Sequence, residues 1–265
     1  MEEGLEILNN KKVLLSSPKK FLLLNLVNLY RQTKHYAKTE ETLKEILSIT
    51  FYAKGTDLHL GLYSTYVMIC FHQNDYQKAY EIYNDATYQE NLKKNRKSFQ
   101  ERFKLFEAFI HFFIAIGKID TTKSEYPPLP KFRLSRFIND VPEFAQDKRK
   151  QNINLIIIQV LFLIQQKKYD VVIDKVEALN MYCHRYLKKD DTFRSNCFIK
   201  MLLTLPRSNF NRIAVERNAK KLVNQLKSVP IEKAIQAEDL ELVPYDDLWD
   251  IVLEMLEAPT KKVVK

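Results

Sequence analysis

The chain has 265 residues, of which 46% are hydrophobic, and it carries a formal net charge of +9. Only four residues are glycine, which tight hairpin turns and phosphate-binding loops need for positive φ or close backbone approach. The composition therefore argues against β-rich folds and nucleotide-binding loops, and it suits packed helices.

Cysteine content and hydropathy indicate the cellular compartment and whether the chain is expected to enter a membrane. The three cysteines, Cys70, Cys183 and Cys197, form an odd and widely spaced set, so we expect a reducing cytoplasm and no disulfide framework. No apolar run approaches the roughly 20 residues that a membrane-spanning helix needs. We therefore expect no membrane insertion.

Helical signals recur through the first half of the chain. The sequence Ser16-Ser17-Pro18 combines a hydroxyl cap with proline in the first turn and predicts a helix start. A second cap is predicted at residues 55–57. Helices are predicted over 21–33, 36–47, 58–73 and 75–88, followed by a long helix that comes after the basic segment 92–104 and ends near residue 117.

The second half begins with the strongest break in the helical pattern. Residues 124–132, SEYPPLPKF, contain three prolines within four residues, which do not continue a helix and predict a hinge or subdomain boundary. Further helices are predicted over 131–139, 147–166, 169–187, 190–205, 209–227 and 245–256. The predicted organisation is N-terminal helix pairs (1–123), a proline-containing connection with a short helix (124–146), further helix pairs (147–230), and an acidic C-terminal capping helix with a basic tail (231–265).

One segment carries a recognisable pattern. Residues 72–86, HQNDYQKAYEIYNDA, place aromatic residues at Tyr76 and Tyr83 and small residues at Ala79 and Ala86. This order resembles the second helix of a tetratricopeptide repeat, in which small residues let paired helices approach and aromatics fill the groove between pairs.

Weaker copies of the pattern centre on Tyr36, Ile119 and Tyr169. With Tyr76 included, successive copies are 40, 43 and 50 residues apart, whereas the family period is about 34. The resemblance implies an all-α superhelical array of antiparallel helix pairs, a tetratricopeptide-like α-α solenoid, with a C-terminal capping helix. The alternative is a generic α-helical domain, since any amphipathic helix places apolar residues at these intervals.

The resemblance also implies a binding site. Tetratricopeptide arrays present a concave groove, formed by the first helix of each pair, that binds a peptide or a partner helix. The groove residues that the register gives are Asn28, Arg31, Ser64, Met68, Lys104, His111, Asn154 and Leu161. A packed or capping role is the alternative for His111, which lies in a very apolar helix. The expected function is a non-catalytic protein–protein interaction scaffold.

Charge is unevenly distributed along the chain. Residues 228–260 contain nine acidic residues and one lysine, so the rest of the chain is strongly basic. A basic cluster is predicted from Arg194, Arg207, Arg212, Arg217, Lys220 and Lys221. Such a patch could neutralise phosphates, which gives a second hypothesis, a nucleic-acid-binding helical repeat protein. The alternatives are a solvated helix face and a patch that the acidic segment folds back to cover.

No motif indicates catalysis. The sequence lacks G-x-S-x-G, H-E-x-x-H and glycine-rich phosphate loops. We therefore expect no enzyme activity, no cofactor and no metal site. A protein or peptide is the expected partner, and the oligomeric state stays open.

The last predicted helix has a nearly continuous apolar stripe. Its members are Tyr245, Leu248, Trp249, Val252, Leu253 and Leu256. A stripe of this kind is expected to bury itself against another surface. We predict that it caps the last helix pair, and the alternative is a docking helix for another protein.

Overall fold

The computed structural model describes residues 16–49, 56–87, 92–140, 149–186, 192–234 and 240–256. Throughout these ranges the backbone forms helices, turns and connecting segments, without a strand. The predicted all-α class is therefore confirmed for this part of the chain. None of the helices in these ranges is both long enough and apolar enough to cross a membrane. The predicted basic tail and the side chain of Cys183 lie outside the described residues.

The chain divides into two compact units, Met1–Phe103 and Lys104–Lys265. The helices of unit 1 are α1 (Ser16–Gln32), α2 (Tyr36–Ser48), α3 (Asp57–His72) and α4 (Tyr76–Thr87), followed by a 3-10 turn at Leu92–Lys94. Helix α1 packs against α2, and α3 packs against α4, so that neighbours in sequence form pairs.

Helix α5 (Lys97–Ala115) begins in unit 1 and continues into unit 2. Unit 2 continues with a 3-10 turn at Thr121–Lys123 and then α6 (Leu134–Asp140), α7 (Arg149–Gln165), α8 (Tyr169–Tyr186), α9 (Phe193–Leu202), α10 (Thr204–Arg207), α11 (Arg212–Ser228) and α12 (Tyr245–Met255). Helix α7 packs against α8, and α9 packs against α11, whereas α12 contacts α7, α9 and α11. The division between the units falls within α5, so the predicted boundaries at 123 and 146 both lie inside unit 2.

The same backbone turn ends five of the described helices. Four of the turns have one residue with positive φ, Lys34 (58°), Asn74 (58°), Gly117 (74°) or Lys167 (56°), and the fifth, which ends α10, has Asn209 (48°) and Phe210 (55°). The N–H of the following residue donates to the carbonyl five positions earlier, as from His35 to Tyr30 at 2.8 Å. This geometry satisfies carbonyls that a helix end leaves unpaired. Tyr36, Tyr76, Ile119 and Tyr169 follow four of these turns and are the positions at which the sequence pattern recurs, whereas Asn211 follows the fifth.

Two local features follow directly from sequence. The Thr56 hydroxyl accepts the N–H of His59 at 3.3 Å, which confirms the helix cap predicted at residues 55–57. Helix α7 is buried at every position from 153 to 164, where ten of the twelve residues are apolar and Asn154 and Gln159 are polar. Helix α7 is therefore a central helix of unit 2.

Candidate functional site

Four of the eight predicted groove residues are buried. The exposed fractions are 5% for Ser64, 2% for Met68, 2% for Asn154 and 0% for Leu161. The reason is that α3 and α7 are covered on nearly all sides, whereas a groove helix keeps one face open. This corrects the expectation that these four side chains line a groove accessible to a partner.

The other four groove residues differ among themselves. Asn28 is exposed, and Arg31 and Lys104 are half-exposed. The His111 side chain is only 11% exposed, and its ring stacks on Phe132 with a centroid distance of 5.0 Å. The face of α5 that carries His111 is therefore covered by the proline-containing connection of the same chain.

Arg194 does not belong to the basic surface, because its side chain is fully buried. Its Nε and Nη2 donate to the carboxylate of Glu241 at 2.9 and 2.8 Å, and Nη2 also donates to Asp246 at 2.6 Å. Its Nη1 donates to the carbonyls of Leu226 at 3.2 Å and Val229 at 2.6 Å, at the end of α11. The prediction that Arg194 lies in an exposed cluster is wrong, because this buried cation is paired with carboxylates.

We name Arg194, Glu241 and Asp246 the clasp. Burial raises the pKa of Glu241, and the Arg194 guanidinium and the Tyr245 N–H oppose that rise. Burial alone would lower the pKa of Arg194, but its hydrogen bonds and charge interactions with the two carboxylates raise it. The described part of the acidic segment thus contacts the basic body at Arg194, but it does not cover Arg217, Lys220 and Lys221, which stay exposed.

The apolar stripe of α12 is buried within unit 2. Leu248, Trp249 and Val252 are 1%, 3% and 0% exposed. The Tyr245 ring stacks on Phe198 with a centroid distance of 4.6 Å. The stripe thus packs within unit 2, where α12 contacts α7, α9 and α11, whereas a docking helix for another protein would need the stripe exposed. That α12 caps the last helix pair of a repeat array stays a prediction.

Helix α11 has two opposite faces. Val215, Ala219 and Leu226 are buried, and they recur at the spacing of one helix face. The helix packs through this face against α9, and its C-terminal carbonyl at Leu226 binds the clasp. The opposite side of α11 is therefore held in a fixed position and faces solvent.

We name that side the basic face. It consists of Arg217, Lys220, Lys221, Asn224, Gln225 and Ser228, which are all exposed and line an open depression of about 560 Å³. Within the described ranges, none of its three cations forms an ion pair. The helix has one acidic residue, Glu216, and this carboxylate pairs with Arg212 at 3.0 Å.

The structure thus brings together only part of the predicted basic cluster. Arg217, Lys220 and Lys221 lie on one surface, Arg207 is exposed on α10, and Arg212 is half-exposed beside Glu216. The polar neighbours of the three cations, Asn224, Gln225 and Ser228, were not predicted as site residues. Asn224 and Gln225 follow Lys221 by three and four positions, and Ser228 follows Asn224 by four. This helical spacing was the sequence signal that indicated them.

The aromatic side chain nearest in sequence to this helix is already engaged. The Phe210 ring stacks on Tyr169 with a centroid distance of 4.1 Å and an interplanar angle of 17°. Stacking platforms for single-stranded nucleic acids need an aromatic ring whose face is open to a base. Phe210 has one face covered by Tyr169 and does not line the depression, whose residues bind through hydrogen bonds and charge.

Among the residues that the structure describes, no group of three or more His, Cys, Asp or Glu side chains is arranged to hold a metal ion. Comparisons with protein-family models, with curated proteins and with solved structures find no match to this chain.

Proposed function

We propose that this chain is a non-catalytic helical binding protein whose basic face binds the phosphate backbone of a nucleic-acid duplex. The observation that carries the proposal is the exposed row of Arg217, Lys220 and Lys221, opposite the face that anchors α11. Cations on a surface of this kind displace the counterions condensed on a polyphosphate, which favours binding.

The dimensions and chemistry of the basic face suit a duplex. At a rise of about 1.5 Å per residue, positions 217–228 span roughly 17 Å. A DNA duplex carries one negative charge per about 1.7 Å of its axis, so several phosphates lie within that span. Asn224, Gln225 and Ser228 add neutral donors of the type that commonly bind phosphate oxygens.

The test is the salt dependence of binding to a labelled duplex of mixed sequence. In the triple variant Arg217→Gln/Lys220→Gln/Lys221→Gln, the slope of log affinity against log salt should fall by about 3, since each phosphate contact contributes about 0.9. Fluorescence anisotropy between about 50 and 200 mM salt measures the slope.

A matched triple variant removes the same charge elsewhere. Lys131, Lys168 and Lys200 are exposed, lie outside α11 and do not line the depression, so Lys131→Gln/Lys168→Gln/Lys200→Gln should keep the slope. Equal losses in both triples would show a general effect of net charge. Absence of duplex binding by the unmodified protein at low salt, with binding of polyglutamate, would assign the basic face to an acidic protein partner.

The second candidate function is a cytoplasmic protein–protein interaction scaffold of the tetratricopeptide type. The turn before Tyr36, Tyr76, Ile119 and Tyr169 supports a helical repeat through its coincidence with the sequence pattern at these four positions, since the turn by itself is common at helix ends and also ends α10. Asn28 and Arg31, on α1, are the accessible groove residues of unit 1. If this function holds, Asn28→Ala/Arg31→Ala should lose a partner protein that the unmodified chain captures from lysate.

A further inference from the structure

The connection between α5 and α6 has a burial pattern with a period of three. We name residues 126–133, YPPLPKFR, the strap. Tyr126, Leu129 and Phe132 are half-buried, whereas residues 127, 128, 130, 131 and 133 are exposed. Proline-rich segments favour the polyproline II conformation, which has three residues per turn. The three half-buried side chains therefore lie on one side of an extended strap.

Phe132 fills a slot between aromatic rings. Its ring stacks on His111 of α5 and on Phe162 of α7, with a centroid distance of 5.0 Å in both cases. Phe162 lies 5.6 Å from Phe112, edge to face, and Phe132 lies 5.6 Å from Phe137. We name the site formed by His111, Phe112, Phe137 and Phe162 the aromatic slot.

The strap is held by side chains and not by its backbone. Three of its residues are prolines, which have no N–H. Between residues 127 and 132, its backbone makes no hydrogen bond to another described backbone group. Segments with few hydrogen bonds and exposed residues open at lower free energy than packed helices do.

The slot also has a polar atom that the strap leaves unused. The His111 Nε2 is buried and has no hydrogen-bond partner among the described residues. Burial lowers the pKa of His111 to about 4, so the ring is neutral at pH 7. A buried polar atom without a partner carries a desolvation cost that a ligand group can remove.

We propose that the aromatic slot is a binding site for an extended proline-containing peptide, and that the strap occupies this site in cis. The partner segment carries an aromatic residue two positions after a proline, as in Pro130-Lys131-Phe132, with a second apolar residue three positions before the aromatic. Grooves lined by aromatic rings bind polyproline II segments because such segments lose little conformational entropy on binding. This proposal is independent of the basic face.

The test uses the full chain and a labelled peptide of residues 124–133, SEYPPLPKFR. The unmodified protein should bind the peptide weakly, because its own strap fills the slot. Phe132→Ala should bind the peptide about tenfold more tightly or better, since apparent affinity scales with the fraction of open sites. A control peptide with alanine in place of the phenylalanine should not bind either protein.

A second variant tests whether the effect of Phe132→Ala comes from unfolding of the protein. Phe132→Leu keeps an apolar side chain but removes the ring stack, so it should fold and also bind the peptide more tightly than the unmodified protein. Circular dichroism checks the helix content of both variants. Equal affinity of the unmodified and variant proteins, or no binding to a folded variant, would overturn the proposal.

The His111 ring gives an independent readout. In Phe132→Ala its pKa, followed by NMR, should rise from about 4 towards the ordinary value of about 6.5. Addition of the peptide should lower the pKa again as the slot is refilled. A pKa that does not respond to the peptide would show that the peptide binds elsewhere, which would also overturn the proposal.

Discussion

Replacing Arg194 with methionine should destabilise unit 2 severely. Methionine fills much of the same volume but donates no hydrogen bond. The change removes the hydrogen bonds that Glu241, which is 2% exposed, accepts from the guanidinium, while the bond from the Tyr245 N–H remains. It also removes the donor that binds the carbonyls of Leu226 and Val229 at the end of α11.

The magnitude follows from the burial of the clasp. Removing one partner of a buried ion pair costs about 3 to 5 kcal/mol, because the other charge stays buried without compensation. Asp246 is 30% exposed and regains water, so Glu241 carries most of the cost. We expect a loss of about 4 kcal/mol at pH 7, a large part of the roughly 5 to 15 kcal/mol that keeps a domain folded.

The double variant Arg194→Met/Glu241→Gln separates charge from packing. It contains no buried carboxylate, so it should recover about half of the loss, or roughly 2 kcal/mol. In the single variant the pKa of Glu241 should rise further. A carboxyl group whose pKa is raised in the folded state favours folding while it is protonated, and it loses this contribution as pH rises through the folded-state pKa. The destabilisation by Arg194→Met should therefore shrink as the solution is acidified.

Trp249 supplies the assay, since it is the sole tryptophan and is 3% exposed within α12. Urea unfolding followed by its fluorescence should show a midpoint lowered by about 2 M, taking a slope of about 2 kcal/mol per M. Arg212→Met, which breaks a surface pair with Glu216, is the control and should cost less than about 1 kcal/mol. Equal midpoints for Arg194→Met and Arg212→Met would refute the reasoning.

Three further predictions concern individual side chains. The Tyr80 hydroxyl is buried without a described hydrogen-bond partner, so Tyr80→Phe should raise the free energy of unfolding by about 1 kcal/mol; a loss in urea unfolding would contradict this. Lys34→Gly and Lys167→Gly should each raise the free energy of unfolding by about 0.5 to 1 kcal/mol, because glycine adopts positive φ without strain. Thermal unfolding measures this gain, and unchanged midpoint temperatures would contradict the prediction. The pKa of His111 is lowered to about 4, so on acidification His111 is protonated in the unfolded chain before it is protonated in the folded protein. The free energy of unfolding should therefore fall between about pH 6.5 and pH 4. His111→Gln should lack this fall, and identical pH profiles of the two proteins would contradict the prediction.

Local features of the fold were predictable from sequence because their causes are local. The cap at Thr56 and the break at 124–132 depend on residue types within a few positions. The turns before Tyr36 and Tyr76 fall where the apolar pattern recurs. In these cases the groups that determine the backbone conformation, a capping hydroxyl or a proline ring, belong to neighbouring residues in the sequence.

The role of Arg194 was not predictable in this way. Its partners Glu241 and Asp246 are 47 and 52 residues away in sequence, and nothing near Arg194 distinguishes a buried arginine from an exposed one. Its neighbours in sequence suggested a surface patch. Only the packing of α9, α11 and α12 places the carboxylates beside it.

The groove residues show a second reason for error. The tetratricopeptide register assigns Met68 and Leu161 to a face of a first helix, but it does not tell which helices lie at the centre of a unit. The burial of His111 shows a third reason for error. The sequence of the strap predicts a break between helices, but it does not predict that Phe132 covers His111. A period of three in its apolar residues was the signal available.

The clasp also has a consequence for biosynthesis. A growing chain emerges with its N-terminus first, so Arg194 and α11 are made before Glu241 and Asp246 exist. Until residue 241 has been added the guanidinium has neither of its two carboxylate partners, and until residue 246 has been added it lacks the second. The order of synthesis therefore delays the closing of unit 2 to its last helix. A chain interrupted before that point leaves α9 and α11 without the contacts that α12 makes to them.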